Sequence, residues 1–111
     1  MEEHSDLLYT LRNEVELIER HVMVLDAVLK NEPIGVVRLG RITGLKDHRV
    51  RYSLRMLERE GLIRPTHEGA VLTSEARKRI TPLKRELKKL GEKLLRISDL
   101  LAEERAKMRR H

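Results

Sequence analysis

The segment RVRYSLRMLEREGLI, residues 49–63, decides the predicted fold. Its apolar side chains recur at intervals of three and four residues, the period of an amphipathic helix with one buried face. These side chains are Val50, Leu54 and Leu57. Gly61 then stands just after the last turn, where glycine commonly ends a helix. We therefore predict a helix over residues 47–60, followed directly by a short strand.

The neighbouring segments predict a small helical motif with a hairpin. A shorter helix is expected over residues 36–43, and it would bury Val36, Leu39 and, at its end, Ile42. Gly44 and Leu45 form a tight turn between the two helices. Strands are predicted at residues 62–64 and 70–72, joined by a turn, and Thr73 is expected to cap the next helix. The order helix, turn, helix and hairpin is that of a winged helix-turn-helix.

Two long helices with heptad patterns flank this centre. The first is predicted over residues 5–31, from an N-cap at Ser5 to the helix-breaking Pro33. The last is predicted over residues 82–109, with Thr81 as N-cap and Pro82 in the first helical position. Apolar residues recur in both with alternating spacings of three and four. They are Leu8, Leu11, Val15, Ile18, Val22, Leu25 and Leu29 in the first helix, and Leu83, Leu87, Leu90, Leu94, Ile97 and Leu101 in the last.

A heptad seam requires a partner helix, which can come from the same chain or from a second copy. We expect a homodimer, and an antiparallel hairpin within one chain is the alternative. The expected interface residues are Leu8, Leu11, Val15, Ile18, Leu87, Leu90, Leu94, Ile97 and Leu101. With 111 residues, the prior is one domain. The predicted fold is mainly α, with a helix-turn-helix and wing over residues 34–80 between the two heptad helices.

Residues 49–63 resemble the recognition helix and first wing strand of MarR- and ArsR-like winged-helix transcriptional regulators. The shared element is Leu-Glu, two variable residues and Gly-Leu-Ile, here at residues 57–63, and residues 68–73 resemble the wing exit of the family. The similarity covers about residues 20–80 and is to small archaeal-type members, which implies DNA binding. Two features depart from the family. Lys46 stands where Ser or Thr usually begins the recognition helix, so Asp47 is the alternative cap. The wing tip, residues 66–69, lacks the basic residue that often enters the minor groove.

Charge is unevenly distributed along the chain, which carries +6 in total. Residues 1–35 carry −5, residues 36–66 carry +5 and residues 67–111 carry +6. A basic centre beside an acidic start indicates an oriented field that suits a polyanion. We expect double-stranded DNA as the partner, with the 47–60 helix in the major groove and Arg side chains reading guanine. The expected DNA-contacting residues are Arg38, Arg41, Lys46, His48, Arg49, Arg51, Tyr52, Arg55, Arg59 and Arg64.

Several other classes of function are disfavoured by the sequence. The absence of cysteine excludes disulfides and thiolate zinc sites, and no apolar run reaches the length of a membrane helix. The acidic start lacks a secretory signal, so a cytoplasmic, nucleoid-associated protein is expected. The five histidines show no ligand spacing, His21 is expected at the surface, and Ser53 lacks a His and Asp at a recognised spacing. We expect no enzymatic activity and no cofactor, and a small-molecule effector is not indicated.

The expected activity is operator occupancy by a homodimer, with repression the simpler outcome. Two alternatives remain open. One is a winged-helix module whose heptad helices dock another protein. The other is an architectural protein that binds nucleic acid without sequence preference, for which salt-dependent but sequence-blind affinity would be diagnostic.

Overall fold

The computed structural model describes residues 6–109, with side chains over residues 7–101. This part of the chain is mainly helical, with four α-helices and one antiparallel hairpin, so the predicted fold class is confirmed. A short 3-10 turn at Asp6–Leu8 precedes the first helix. The elements are α1 (Tyr9–Asn31), α2 (Val36–Thr43), α3 (Asp47–Arg59), β1 (Ile63–Thr66), β2 (Gly69–Leu72) and α4 (Ser74–Arg109).

The chain divides into two compact units between Arg77 and Lys78, a boundary that falls within α4. The first unit contains α1, α2, α3, the hairpin and the first turn of α4. The second unit is the remainder of α4. Among the side chains described over residues 7–101, all the buried ones of the core lie in the first unit, and so does the motif predicted from residues 49–63.

The core of the first unit is built from aliphatic side chains that every element contributes. Its buried apolar residues are Val24, Leu25, Ala27, Val28, Ile34, Leu39, Val50, Leu57, Leu62, Ile63, Ala70, Leu72 and Ala76. In the second half of α1, whose sequence is apolar nearly all round, Val24, Leu25, Ala27 and Val28 are buried on one broad face and Leu29 is 36% exposed. Val50 and Leu57 lie on the inner face of α3 as expected, and Leu54 is half-buried. On α2, Leu39 is buried, but Ile42 is 49% exposed, so the expectation that Ile42 is buried was wrong.

The turn between α2 and α3 is held by backbone and side-chain hydrogen bonds. Gly44 adopts a left-handed conformation with a φ of 76°, and its N–H donates to the Gly40 carbonyl at 2.8 Å. The Thr43 hydroxyl donates to the Leu39 carbonyl at 2.7 Å and accepts from the Leu45 N–H at 3.2 Å. Lys46 is the N-cap of α3 and no side chain caps this end, so Asp47 is the first helical residue and does not act as the cap. The turn therefore fixes where α3 begins.

The hairpin is attached to the segment that follows α1. β1 and β2 pair antiparallel, with Ile63 opposite Leu72 and Thr66 opposite Gly69. Ile34 forms an additional bridge to Ala70, in which the Ile34 N–H donates to the Ala70 carbonyl at 3.1 Å and the Ala70 N–H donates to the Ile34 carbonyl at 2.8 Å. The strands differ slightly from the predicted bounds of 62–64 and 70–72. The pairing continues to Thr66 and Gly69, the two residues that flank the two-residue turn.

Glu32 connects the end of α1 to β2 and to the start of α4. Its Oε1 accepts a hydrogen bond from the Leu72 N–H at 2.8 Å, and its Oε2 forms an ion pair with Arg77. α1 ends at Asn31 as predicted, since Pro33 follows closely and disfavours helical geometry before it. The carboxylate of Glu32 then takes a backbone donor of the hairpin, so the wing and the helix end are held together.

The sequence assigned the start of the last helix to the wrong residue. α4 begins at Ser74, and Pro82 lies inside it, so the predicted start at residue 82 with a Thr81 cap was wrong. Thr73 caps the helix as expected, because its hydroxyl oxygen accepts from the Ala76 N–H at 3.0 Å. A proline within a helix removes one backbone hydrogen bond, but flanking turns can retain the helical path. The predicted N-cap of the first helix, Ser5, lies outside the described residues.

Candidate nucleic-acid interface

The outward face of α3 presents a row of polar and basic side chains. Successive residues of an α-helix are rotated by about 100°, so residues 48, 52, 55 and 59 share the face opposite Val50. Val50 and Leu57 are buried against the core, and the opposite row is exposed as the sequence predicts. The members of this row are His48, Tyr52, Arg55 and Arg59, and Arg49 and Arg51 flank it. One helix therefore separates an apolar inner face from a basic outer face.

The other predicted contact residues lie on the elements next to α3. Arg38 and Arg41 are exposed on α2, Lys46 is exposed in the turn, and Arg64 is exposed on β1. All ten predicted DNA-contacting side chains are therefore accessible within the first unit. Residues 36–66 carry a net charge of +5. Such a concentration of positive charge on one segment favours contact with an anionic partner. The contact roles of the individual residues remain predictions.

Tyr52 has a double role that the helical pattern alone does not predict. It is 42% exposed, and its ring lies 5.8 Å from the ring of His21 on α1, with an angle of 37° between the ring planes. The guanidinium carbon of Arg55 lies 5.8 Å from the centre of the same ring. That distance is within the range of a cation–π contact. The ring therefore supports Arg55 and connects it to α1.

His21 lies at the contact between α1 and α3, and the prediction that it is a surface residue was wrong. Its Nδ1 lies 2.8 Å from the Ser53 hydroxyl oxygen. Ser53 is 1% exposed and lies on the inner side of α3. The Nε2 atom of His21 is also buried and has no hydrogen-bond partner among the described residues. Burial lowers the pKa of His21 below its usual value of 6.5, and the positive charge of Arg20 lowers the pKa further.

A serine and a histidine in hydrogen-bond contact also occur in nucleophilic enzymes, where the serine is accessible and a third group orients the histidine. Here the Ser53 hydroxyl is buried, and no described group forms a hydrogen bond with the second nitrogen of His21. The arrangement therefore anchors α3 to α1 and offers no accessible nucleophile. The inward position of His21 on α1, though not its contact with Ser53, has a signal in the sequence. His21 continues the second apolar stripe of α1, which contains Leu17, Val24 and Val28, at the same three- and four-residue spacing.

The wing is short and presents a mixed tip. The Thr66 hydroxyl donates to the Gly69 carbonyl at 2.6 Å, which closes the turn around His67 and Glu68. Both tip side chains are exposed, and Glu68 is acidic. Arg64 is the basic residue of β1. The tip therefore has no Arg or Lys side chain that could enter the minor groove of DNA. The basic side chains are concentrated on α3 and α2 instead.

Within the described residues, no cluster of three or more His, Asp or Glu side chains has the arrangement of a metal site. None of the helices over residues 6–109 combines the length and the apolar content needed to cross a bilayer.

The nine side chains predicted to form a dimer interface are all exposed. Their exposed fractions range from 37% for Leu87 to 76% for Leu101. Leu8 lies in the turn before α1 and three others lie in the first half of α1, all four within the first unit, and five lie in the second unit. Each unit therefore carries its own row of accessible apolar side chains.

Comparison with solved structures identifies a similar fold in a transcription factor. The activation domain of the phage T4 transcription factor MotA matches with a TM-score of 0.54 and 20% sequence identity. The match covers 69% of this chain and 83% of that domain. At this identity, the similarity establishes the fold. No protein-family model and no curated protein match the sequence, so the resemblance to MarR- and ArsR-like regulators stays a prediction.

Proposed function

We propose that this protein is a homodimeric, sequence-specific DNA-binding regulator of transcription that acts by operator occupancy. The observation that carries the proposal is the exposed basic face of α3, together with the exposed arginines of the neighbouring α2. A major groove is about 12 Å wide and accepts one α-helix. The similar fold in a phage transcription factor and the resemblance of residues 49–63 to winged-helix regulators support the same class of function.

The residues of this surface divide into two groups by the contacts they would make. Arg55 would read a base edge, since a guanidinium can donate two parallel hydrogen bonds to guanine. Tyr52 would hold Arg55 in place from behind, because the ring and the guanidinium are already 5.8 Å apart. Arg38 and Arg41 on α2 and Lys46 in the turn would bind backbone phosphates. The bases would thus be read from one helix and the phosphates from its neighbours.

A homodimer would present two such helices to one side of a duplex. Two-fold symmetry in the protein favours an inverted repeat in the DNA, with half-sites about one helical turn apart. Bound over a promoter, such a dimer would exclude the transcription machinery, and repression follows most simply. No cofactor is required for this activity.

Binding by substituted proteins tests this proposal. Arg55→Ala is expected to weaken specific binding by about 1–3 kcal/mol, or roughly 5- to 150-fold, because it removes a base contact. Tyr52→Ala should weaken it in the same direction. Arg85→Ala, on α4, is the matched control, because it removes the same charge from an exposed helix position outside α2 and α3. Fluorescence anisotropy on a selected DNA site gives the affinities, and circular dichroism verifies folding. Unchanged affinity in both α3 variants would contradict the proposed reading surface.

A protein-docking module is the second candidate, and two observations favour it. The similar phage domain is named as an activation domain, and both units expose rows of large apolar side chains. If the folded protein retains no DNA at physiological salt, this candidate replaces the first. Retention with equal affinity for every sequence would instead indicate an architectural role.

A further inference from the structure

The first half of α1 and the length of α4 each expose one row of large apolar side chains. The first row begins at Leu8, in the turn before α1, and continues in α1 with Leu11, Val15 and Ile18. The row of α4 is Leu87, Leu90, Leu94 and Ile97. All eight side chains are at least 37% exposed. Contiguous apolar surface on a soluble protein marks an interaction site. The equal length and matching heptad spacing of the rows suit two helices that pack along each other.

We propose that α1 of one protomer packs antiparallel against α4 of a second copy, and that the reciprocal pair completes the dimer. The proposal rests on the homodimer in the proposed function and specifies how that dimer is built. In the proposed register, each seam residue of α1 contacts one seam residue of the partner. Leu8 contacts the partner's Ile97, Leu11 the partner's Leu94, Val15 the partner's Leu90 and Ile18 the partner's Leu87.

The charges beside the seams favour this register. Each seam is flanked by two rows of residues, one on either side. In an antiparallel pair, each flanking row of one helix faces the equivalent flanking row of the partner helix. Glu14 then faces the partner's Lys93, and Glu19 faces the partner's Lys84. Both contacts join opposite charges, and such flanking pairs set the choice and orientation of partner helices. A shift by one heptad in one direction would instead place Glu14 against the partner's Glu86 and Arg12 against the partner's Lys84.

Two leucines that lie beside the seams favour the antiparallel direction. Leu7 is 85% exposed and Leu100 is 65% exposed. In the proposed register, Leu7 faces the partner's Leu100, so both side chains leave water together. A parallel pairing of the same seams would place Leu7 beside the partner's Gly91. The parallel pairing would therefore separate Leu7 from the partner's Leu100, although it would also place some oppositely charged side chains together.

Pairing each helix with its own copy is less favourable. An antiparallel pair of α1 helices over the same four seam residues would place Glu14 against Glu14 and Arg12 against Arg12. A pair of α4 helices centred between Leu90 and Leu94 would place Lys93 against Lys93. Either pairing would also leave the seam of the other helix exposed. The mixed pairing covers both seams and places opposite charges together.

Disulfide trapping tests the pairing directly, because the chain contains no cysteine. Purified Ile18→Cys protein is mixed with Leu87→Cys protein and oxidised gently. A covalent dimer that contains one of each variant is expected. The matched mixture of Ile18→Cys with Ile97→Cys should give little product, because positions 87 and 97 lie about 15 Å apart along a helix. A mixture of Leu87→Cys with Ile97→Cys reports the pairing of α4 with itself.

The outcomes separate the possible arrangements. Trapping of residue 18 with residue 97 would overturn the antiparallel direction, and trapping of residue 87 with residue 97 would overturn the mixed pairing. No covalent dimer in any mixture would overturn the proposal and favour a hairpin within one chain. Analytical ultracentrifugation of the unsubstituted protein tests the homodimer separately. A dimer without the expected trap contradicts only this pairing, whereas a monomer contradicts the homodimer of the proposed function as well.

Charge reversal gives an independent test without cysteines. Glu14→Lys and Lys93→Glu should each raise the dimer dissociation constant by about three- to tenfold, because two flanking pairs per dimer become repulsive. The combined variant should regain the original dissociation constant. Glu16→Lys is the matched control. Residue 16 follows the seam residue Val15 in the sequence, but its side chain points away from the seam, so the substitution should leave dimerisation unchanged. Failure of the combined variant to recover would contradict the contact of Glu14 with Lys93.

Discussion

Substitution of Gly69 by alanine should release the wing from the core. Gly69 begins β2 with a φ of 134°, a conformation that side-chain-bearing residues rarely adopt. A Cβ atom at this position would lie 2.6 Å from the carbonyl carbon of Ile34 and 2.8 Å from its nitrogen and oxygen. These are backbone atoms and cannot rotate away. The strand must therefore move from the segment after α1, to which Ala70 is hydrogen-bonded.

The size of the effect follows from the contacts that would be lost. Backbone strain at such a conformation costs on the order of 1–3 kcal/mol. Separation of the strand from Ile34 would remove two backbone hydrogen bonds, each worth about 1 kcal/mol. The smaller entropy of the unfolded alanine chain offsets about 0.4–1 kcal/mol of this loss. We expect a decrease of about 2–5 kcal/mol in the free energy of unfolding, a large share of the 5–15 kcal/mol typical of a domain.

Urea denaturation followed by circular dichroism measures this change at fixed protein concentration. Gly35→Ala is the matched control. It follows Ile34 and is the N-cap of α2, with an extended backbone, and nothing lies within 4 Å of an added Cβ. The control should alter the unfolding free energy by less than about 1 kcal/mol. Equal stability of Gly69→Ala and Gly35→Ala would refute the close approach of β2 to Ile34.

Three further predictions follow. Because burial lowers the pKa of His21, the unfolded chain binds more protons than the folded protein just below pH 6.5. Stability should therefore fall as the pH decreases from 6.5 through the lowered pKa, and His21→Gln should reduce this slope in urea titrations, whereas a control at the exposed His67 should retain it. Glu32→Ala should destabilise the protein by about 1–3 kcal/mol in the same assay, since it removes the acceptor for the Leu72 N–H and the partner of Arg77, and an unchanged midpoint would contradict the role of this carboxylate. DNA affinity should fall about tenfold or more between 50 and 200 mM salt in anisotropy titrations, and a flat response would exclude phosphate contacts.

Local signals in the sequence predicted the central motif. Gly44 and Gly61 end helices because they adopt left-handed conformations, with φ values of 76° and 77°. Pro33 and the cap at Thr73 mark the other boundaries. These features depend on residues close in sequence, so α2, α3 and the hairpin were predicted close to their observed bounds.

Pro82 was misread because two signals conflicted there. A threonine followed by proline is typical of a helix start, but Ala76, Ile80 and Leu83 already carry the heptad spacing through that point. Ala76 is buried and Ile80 is half-buried. The periodic pattern, which extends over many turns, was the better guide to the continuous helix.

The contact of His21 with Ser53 could not be predicted from spacing. The two residues are 32 positions apart, and the packing of α1 on α3 brings them together. Sequence periodicity gave the inner face of α3, to which Ser53 is adjacent, but not the partner of Ser53. The basic face of α3 was predictable because it lies on one helix. The contact of the Tyr52 ring with α1 was not, because it depends on tertiary structure.

The most direct test of the central claim is selection of genomic DNA fragments by the purified, unsubstituted protein at physiological salt, followed by sequencing. We expect enrichment of an inverted repeat whose half-sites lie about one helical turn apart. Recovery of fragments without a shared site, or no recovery by folded protein, would contradict sequence-specific binding through α3.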